Sequence, residues 1–358
     1  MEMLHHLIVI AVAVGATWLC TPLVRLMGNR WGIVAHPGGR HVHKGSVPRI
    51  GGLAMFVGFA AAVSVRAIGE LVYDWPPALT VPDQRLWGIL AGITAMFLVG
   101  LVDDVIDMRP GQKLTGQIIA AGIIVYSGAG IDFVGNPFGG GLILLGVLSV
   151  PVTLFWIVGF ANVINLIDGL DGLAAGVTAI AAASLLLLAQ QSNQPLAAVL
   201  AAALFGACLG FLRFNFHPAS IFMGDSGALF LGFMLAVISL LGVMKSVAAI
   251  TLVVPLLIIG VPMFDTLSAI VRRRRHGRPI QEADKGHIHH RLLGRGFNQR
   301  QTVLIIYAWS IALAVGGYTV RWTPPWLRIV TFIVLGVLSA FMAYWLGLFE
   351  AAHQDGDE

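Results

Sequence analysis

Charge is what this sequence has least of. Only 11% of its 358 residues are Asp, Glu, Lys or Arg, against about a quarter in soluble globular domains, so a water-soluble fold with a fully solvated surface is excluded. Cysteine is nearly missing: Cys20 and Cys208 both sit in apolar stretches. That rules against a disulfide framework or a cysteine metal centre and leaves them as core residues. No linker, low-complexity stretch or clear internal repeat sets off a second unit, so residues 1–349 read as one transmembrane domain with a short tail, 350–358. Basic residues are missing ahead of the first apolar run, which starts after Met1-Glu2-Met3, and no small-residue cleavage pattern follows it. A retained helix is expected there, not a signal peptide.

What the chain does have is apolar length: 57% of residues are hydrophobic and the mean hydropathy is +0.85. At about 20 residues per crossing, this predicts an all-α, polytopic membrane protein of about eleven transmembrane helices. They fall near 3–26, 50–68, 86–102, 114–129, 142–159, 171–190, 196–212, 227–243, 247–270, 302–319 and 326–347. The bases are sorted among the loops: 17 of the 22 Lys and Arg lie in one set, leaving Arg66, Arg85, Lys245, Arg321 and Arg328 for the other. The positive-inside rule places the first set in the cytoplasm, with the N-terminus outside and the C-terminal tail inside. The pI near 9.3 then follows from topology, and no nucleic-acid partner is needed to explain it.

The acids are sorted too, and acidic residues contribute little to insertion orientation. Asp103, Asp104, Asp107, Asp168, Asp171, Asp225 and Asp265 all fall at or near predicted cytoplasmic span ends, in or beside loops. Asp103 and Asp104 end the apolar run Leu86 to Val102. Adjacent carboxylates repel unless a cation or donor lies nearby, a solvated helix end being the plainer reading. Asn162, Asn165, Asp168 and Asp171 recur every three residues, a spacing expected to put them on one face of a helical turn. Embedded in Ile, Leu and Val, such a stripe must face a cavity, a cation or a polar helix seam. In Gly224-Asp225-Ser226-Gly227, glycine permits close backbone approach to a ligand, while Asp225 alone would serve as a helix N-cap. Oxygen ligands at Asn165 and Asp225 would suit Mg²⁺ or Mn²⁺ rather than zinc.

Two basic segments complete the set. His287, His289, His290 and Arg291 lie in a long loop with Lys285 and Arg295 but no further ligand, which favours binding of an anion such as a diphosphate over a transition metal. Lys44 and Arg49 flank glycines ahead of the second span and supply charge for a phosphate, although positive-inside bias accounts for them equally. The run Arg272 to Arg275 reads as a stop-transfer flank against anionic lipid.

In their order along the chain, His43-Lys-Gly-x-x-Pro-Arg-x-Gly-Gly, Asp103-Asp104, Asn162-x-x-Asn-x-x-Asp-Gly-x-Asp-Gly, Gly224-Asp-Ser-Gly, Pro262-Met-Phe-Asp-Thr and His287-Ile-His-His-Arg-Leu resemble the polyprenyl-phosphate N-acetylhexosamine-1-phosphate transferase family. The resemblance implies transfer of a sugar-1-phosphate from a UDP-sugar to undecaprenyl phosphate with release of UMP, at the cytoplasmic face of a bacterial inner membrane. It implies Mg²⁺ as cofactor, held by Asn165 and Asp225. It ties Asp103 and Asp104 to catalysis on the lipid phosphate and Asp168 to the diphosphate, and puts Asp171 and the histidine loop near the nucleotide. Asn162, Lys44 and Arg49 join them as substrate-binding expectations. The expected partners are a UDP-sugar, undecaprenyl phosphate, membrane lipid and, as a further option, a second copy of the chain. The histidine loop and the Pro-Arg-x-Gly-Gly start are most similar to the branch that uses UDP-N-acetylglucosamine. The phospho-N-acetylmuramoyl-pentapeptide transferase branch is the near alternative. An ion-coupled secondary transporter, with Asp265 and the Asn/Asp stripe as coupling sites, is the alternative from another class.

Overall fold

The computed structural model describes residues 2–35, 47–79, 84–135, 141–242, 253–275, 286–319 and 323–348. Thirteen α-helices account for most of them: α1 (Glu2–Trp31), α2 (Gly52–Val72), α3 (Gln84–Ile106), α4 (Pro110–Tyr126), α5 (Ser149–Ile167), α6 (Leu173–Gln191) and α7 (Pro195–Asn215), then α8 (Gly224–Gly242), α9 (Val253–Ile258), α10 (Gly260–Arg275), α11 (Ile288–Gly294), α12 (Gln299–Thr319) and α13 (Pro325–Leu346). Nine of the helices among the described residues are long and apolar enough to cross a membrane. The span predicted at 114–129 corresponds to α4, whose 17 residues give about 26 Å, the short end of the crossing range. Of the span predicted at 247–270, residues 247–252 lie outside the described residues and the rest is found as two pieces, α9 and α10. The architecture is all-α and polytopic.

The core is built around α8, in which every residue from Ser226 to Gly242 is buried. A helix apolar on all sides belongs at the centre of a bundle, and α2, α3, α5, α6 and α7 pack around it. Small residues set how near they come. A Cβ on Gly52 of α2 would overlap the Gly227 backbone, and one on Gly100 of α3 would lie 2.5 Å from Ser226 Cα. The close crossings therefore bring the start of α2 and the end of α3 against the first turn of α8. The outer helices α1 and α13 instead expose Leu19, Leu23, Ile329, Val337 and Phe341, an apolar surface suited to lipid.

Two short antiparallel pairs interrupt the helices. Val34–Ala35 (β1) pairs with Val47–Pro48 (β2), and Phe133–Gly135 (β3) pairs with Leu142–Leu144 (β4). The second pair corrects the span predicted at 142–159, because the hairpin takes residues 142–144 and α5 runs later, to Ile167. Asn162 and Asn165 are thus on a helix rather than in a loop. Arg66 and Glu70 lie in the last two turns of α2, at the end of that helix away from Gly52. Both are buried inside α2, paired at 2.8 Å, and Glu70 also accepts the Leu79 N–H at 2.9 Å. The pair neutralises itself in place, as charge buried at that depth requires.

Candidate active site

Chain ends from many helices converge at one end of the bundle. The backbone first fixes Asp225. Gly51 N donates to Phe222 O at 2.9 Å, Gly52 N to Met223 O at 2.8 Å, and Phe222 N to Pro48 O at 2.8 Å. These bonds lace the loop before α2 to the segment before α8. Gly224 then turns with φ +69°, and a Cβ there would fall on Arg49 O and 2.5 Å from Asp104 Oδ1. Glycine is the residue that tolerates both the conformation and the approach.

The adjacent pair Asp103 and Asp104, on the last turns of α3, avoid mutual repulsion by pointing to different donors. Asp104 is 2% exposed. Its Oδ1 accepts the Asp225 N–H at 2.7 Å and its Oδ2 the Ser226 N–H at 3.0 Å. It caps the start of α8 from outside that helix, where backbone donors have no partner within it. Asp225 is therefore not its own cap, and its side chain is left for other work. Asp103 accepts the Met108 N–H at 2.8 Å and lies 2.8 Å from Lys113 Nζ, which reaches on to Asp225 Oδ1 at 2.7 Å. Asn165 Nδ2 donates to the same Asp225 oxygen. Arg49 closes the rim, donating to Asp104 O at 3.0 Å and to Asp107 Oδ1 at 2.6 Å.

The expected stripe of Asn162, Asn165, Asp168 and Asp171 does not share a face. Each step of three residues turns a helix back by about 60°, and α5 ends at Ile167. Asn162 turns to α4 instead, donating to Gln117 Oε1 at 2.6 Å and to Val158 O at 2.8 Å. That is a polar helix seam between α4 and α5. Asn165 faces Asp225. Asp171 lies 2.8 Å from His217 Nδ1 and accepts the Ala219 N–H at 3.0 Å, so it holds the turn between α7 and α8. Asp168, just past the end of α5, donates its backbone N–H to Asn165 O at 3.4 Å, while its carboxyl has no hydrogen bond or ion pair among the described residues. Burial, with Asp225, Asp104 and Asp171 nearby, pushes its carboxyl up to about 8.

That shift has a measurable sign. A carboxyl raised above its ordinary 3.8 favours the fold when protonated, so its contribution is lost as pH climbs from about 4 to about 8. In EDTA, the thermal midpoint of the metal-free protein should fall between about pH 5 and pH 8.5 by more than that of Asp168→Asn. Equal falls in the two proteins would refute this.

The histidine loop joins from the other side. His289 is 3% exposed, and burial, reinforced by His290, pushes its imidazole down to about 3, so it is neutral. A methyl group on Gly169 would lie 2.7 Å from His289 Nε2, which places that ring directly over the turn after Asp168. Arg291 instead donates to Gly286 O at 3.1 Å and Leu346 O at 3.4 Å, holding the loop to the end of α13. Arg272, read from sequence as a lipid contact, is buried and donates to Leu348 O. Lys44 lies outside the described residues.

Sequence reasoning missed Lys113 and Gln117. Both stand at the start of an apolar helix four residues apart, a pairing that puts two polar groups on one side of α4, yet Lys113 was counted only towards orientation. Among the described residues no three His, Cys, Asp or Glu side chains stand close enough to grip a metal ion unaided. Magnesium needs only one or two protein oxygens when water and phosphate complete its octahedron. The site suits a cation on two grounds: Lys113 already sets a positive charge between Asp103 and Asp225, and Asp168 is an acid without a counter-charge among the described residues.

The profile of glycosyl transferase family 4 matches residues 86–243, the stretch from α3 to the end of α8. Over nearly its whole length the chain is similar to "Probable undecaprenyl-phosphate N-acetylglucosaminyl 1-phosphate transferase" of Bacillus subtilis, at 36% identity across 97% of this chain and 94% of that one. It is 39% identical to the decaprenyl-phosphate N-acetylglucosaminephosphotransferase of Mycolicibacterium smegmatis, over 86% of this chain and 80% of the relative. A phospho-N-acetylmuramoyl-pentapeptide-transferase of Desulforudis audaxviator matches at 33% over 78% and 85%. With such likeness running from the first helix to the last, and with the matched core carrying Asp103, Asp104, Asn165, Asp168 and Asp225, the chain belongs to glycosyl transferase family 4, in the branch of the polyprenyl-phosphate N-acetylglucosamine-1-phosphate transferases.

Proposed function

We propose that the protein transfers N-acetylglucosamine-1-phosphate from UDP-N-acetylglucosamine to undecaprenyl phosphate, giving the lipid diphosphate and UMP, with Mg²⁺ as cofactor. The observation that carries this is the cluster in which Lys113 bridges Asp103 and Asp225 and Asn165 donates to Asp225, with Asp168, whose carboxyl is unpaired among the described residues, beside it, at the end of the bundle where Arg49 and His289 also lie. By the distribution of basic residues that end faces the cytoplasm, of a bacterial inner membrane.

Both substrates are anions, and bringing two phosphates together needs positive charge already in place. Lys113 and Arg49 supply fixed cations at the rim. Asn165 and Asp225 offer the oxygens that would hold Mg²⁺, which when bound neutralises charge on the diphosphate. Asp103 takes the remaining proton of the lipid phosphate, whose second pKa is about 6, and leaves it a stronger nucleophile. Lys113 pairs with Asp103 at 2.8 Å and orients it for that task. Asp104 acts through Asp225, by fixing the start of α8. Attack falls on phosphorus and not on the sugar carbon, so the anomeric configuration is retained in the product.

Purified protein supplied with undecaprenyl phosphate and a panel of UDP-sugars should release UMP only with lipid and Mg²⁺, fastest with UDP-N-acetylglucosamine, and not in EDTA. Release that ignores the lipid or survives chelation would overturn the reading. The transporter alternative loses its main support, because Asp265 is bonded to His287 and Ile288 at the same end of the bundle rather than lining a midplane cavity.

A further inference from the structure

Asp265 takes no part in the chemistry described so far, yet it sits 1% exposed within α10. A carboxylate at that depth is tolerated only with partners that satisfy it, so its partners define its task. Both oxygens go to one short segment. Oδ2 lies 3.1 Å from His287 Nδ1, and Oδ1 accepts the Ile288 backbone N–H at 2.8 Å. Because Nδ1 is the ring nitrogen that meets Asp265, Nε2 of His287 diverges from α10. His287 stacks on His289 with ring centres 5.8 Å and planes 4° apart, and His289 lies 4.3 Å from His290. The middle ring of this row, His289, lies against Gly169, the residue after Asp168.

We propose that Asp265 is a positioning residue for the nucleotide-sugar. By holding His287 at one angle, it sets the row of histidines against the Asp168-Gly169 turn, where the donor's diphosphate is gripped. The assignment rests on the transferase reading above and adds to it a division of labour. The donor side is carried by α10 and the histidine loop, whereas the acids and Lys113 that face the lipid phosphate are set by α3, α4 and α8 without Asp265.

Steady-state kinetics with each substrate varied in turn tests this. Asp265→Ala should raise KM for the UDP-sugar by about tenfold to a hundredfold, the range for losing a hydrogen bond to a charged group, and leave KM for undecaprenyl phosphate within about twofold. Asp265→Asn keeps the shape and one acceptor oxygen, so it should fall between wild type and alanine and also guards against a misfolded alanine variant. His287→Gln should reproduce the donor effect, and adding it to Asp265→Ala should cost nothing more, because the two act as one unit. Equal rises in both KM values, a change in kcat alone, or additive effects would overturn the assignment. A wild-type protein that releases no UMP would instead sink the transferase reading, whereas wild-type turnover with an unmoved donor KM refutes the role of Asp265 alone.

Discussion

Asp225→Asn is expected to lower UMP release by about 10³-fold or more, a loss of about 4 kcal/mol of transition-state stabilisation, while the protein stays folded. The two halves of that expectation come from different atoms of one residue. Asp225 enters the architecture through its backbone N–H, which Asp104 accepts at 2.7 Å, and asparagine retains that N–H. Its carboxylate faces Lys113 at 2.7 Å and the Asn165 amide, and these are the contacts that change. The neutral amide removes the charge that would hold a divalent cation and leaves Lys113 with Asp103 alone. Release of UMP by the variant, together with its midpoint rise on adding Mg²⁺, checks both halves. Near-native turnover would exclude Asp225 from the reaction, and a collapsed midpoint without Mg²⁺ would show that its side chain is structural.

Gly224→Ala should be as damaging for the opposite reason, through geometry and not charge. The added Cβ would fall on Arg49 O and 2.5 Å from Asp104 Oδ1, and an alanine at φ +69° costs a further 1–2 kcal/mol, approximately. Relief requires moving the loop before α2, the end of α3 or the first turn of α8, and each of those moves displaces Asp225. Activity should fall by at least about a hundredfold, with a lower thermal midpoint in the metal-free protein. Gly111→Ala is the control, since no heavy atom lies within 4 Å of a Cβ there, and it should leave the midpoint alone. Wild-type activity in Gly224→Ala would mean that the junction is not held as tightly as its backbone bonds imply.

The expected catalytic pair was half legible. Asp103 and Asp104 were recognised as two acids in need of a cation or donors, and both needs are met, but by different groups: Lys113 for Asp103 and the backbone of α8 for Asp104. Nothing local in Leu101-Val-Asp-Asp-Val distinguishes them. Their divergence depends on which neighbour each side of α3 meets. The Asn/Asp stripe failed in the same way, because a spacing of three leaves open where the helix stops and which helix packs on each side. Asn162 went to Gln117, Asn165 to Asp225 and Asp171 to His217.

What the sequence determined by itself was the class: scarce charge and long apolar runs demand a membrane-spanning all-α chain, since backbone polar groups in lipid must be satisfied within each segment. It also gathered the chemistry at one end of the bundle, because charged residues are affordable only near span ends. Only the tertiary structure decided what each polar residue does there. Roles such as the bridging ammonium of Lys113, the cap that Asp104 lends to α8 and the grip of Asp265 on His287 join residues between 10 and 122 positions apart in the chain. Contacts of that span are set by how closely Gly52, Gly100 and Gly224 let the helices approach, which no local pattern encodes.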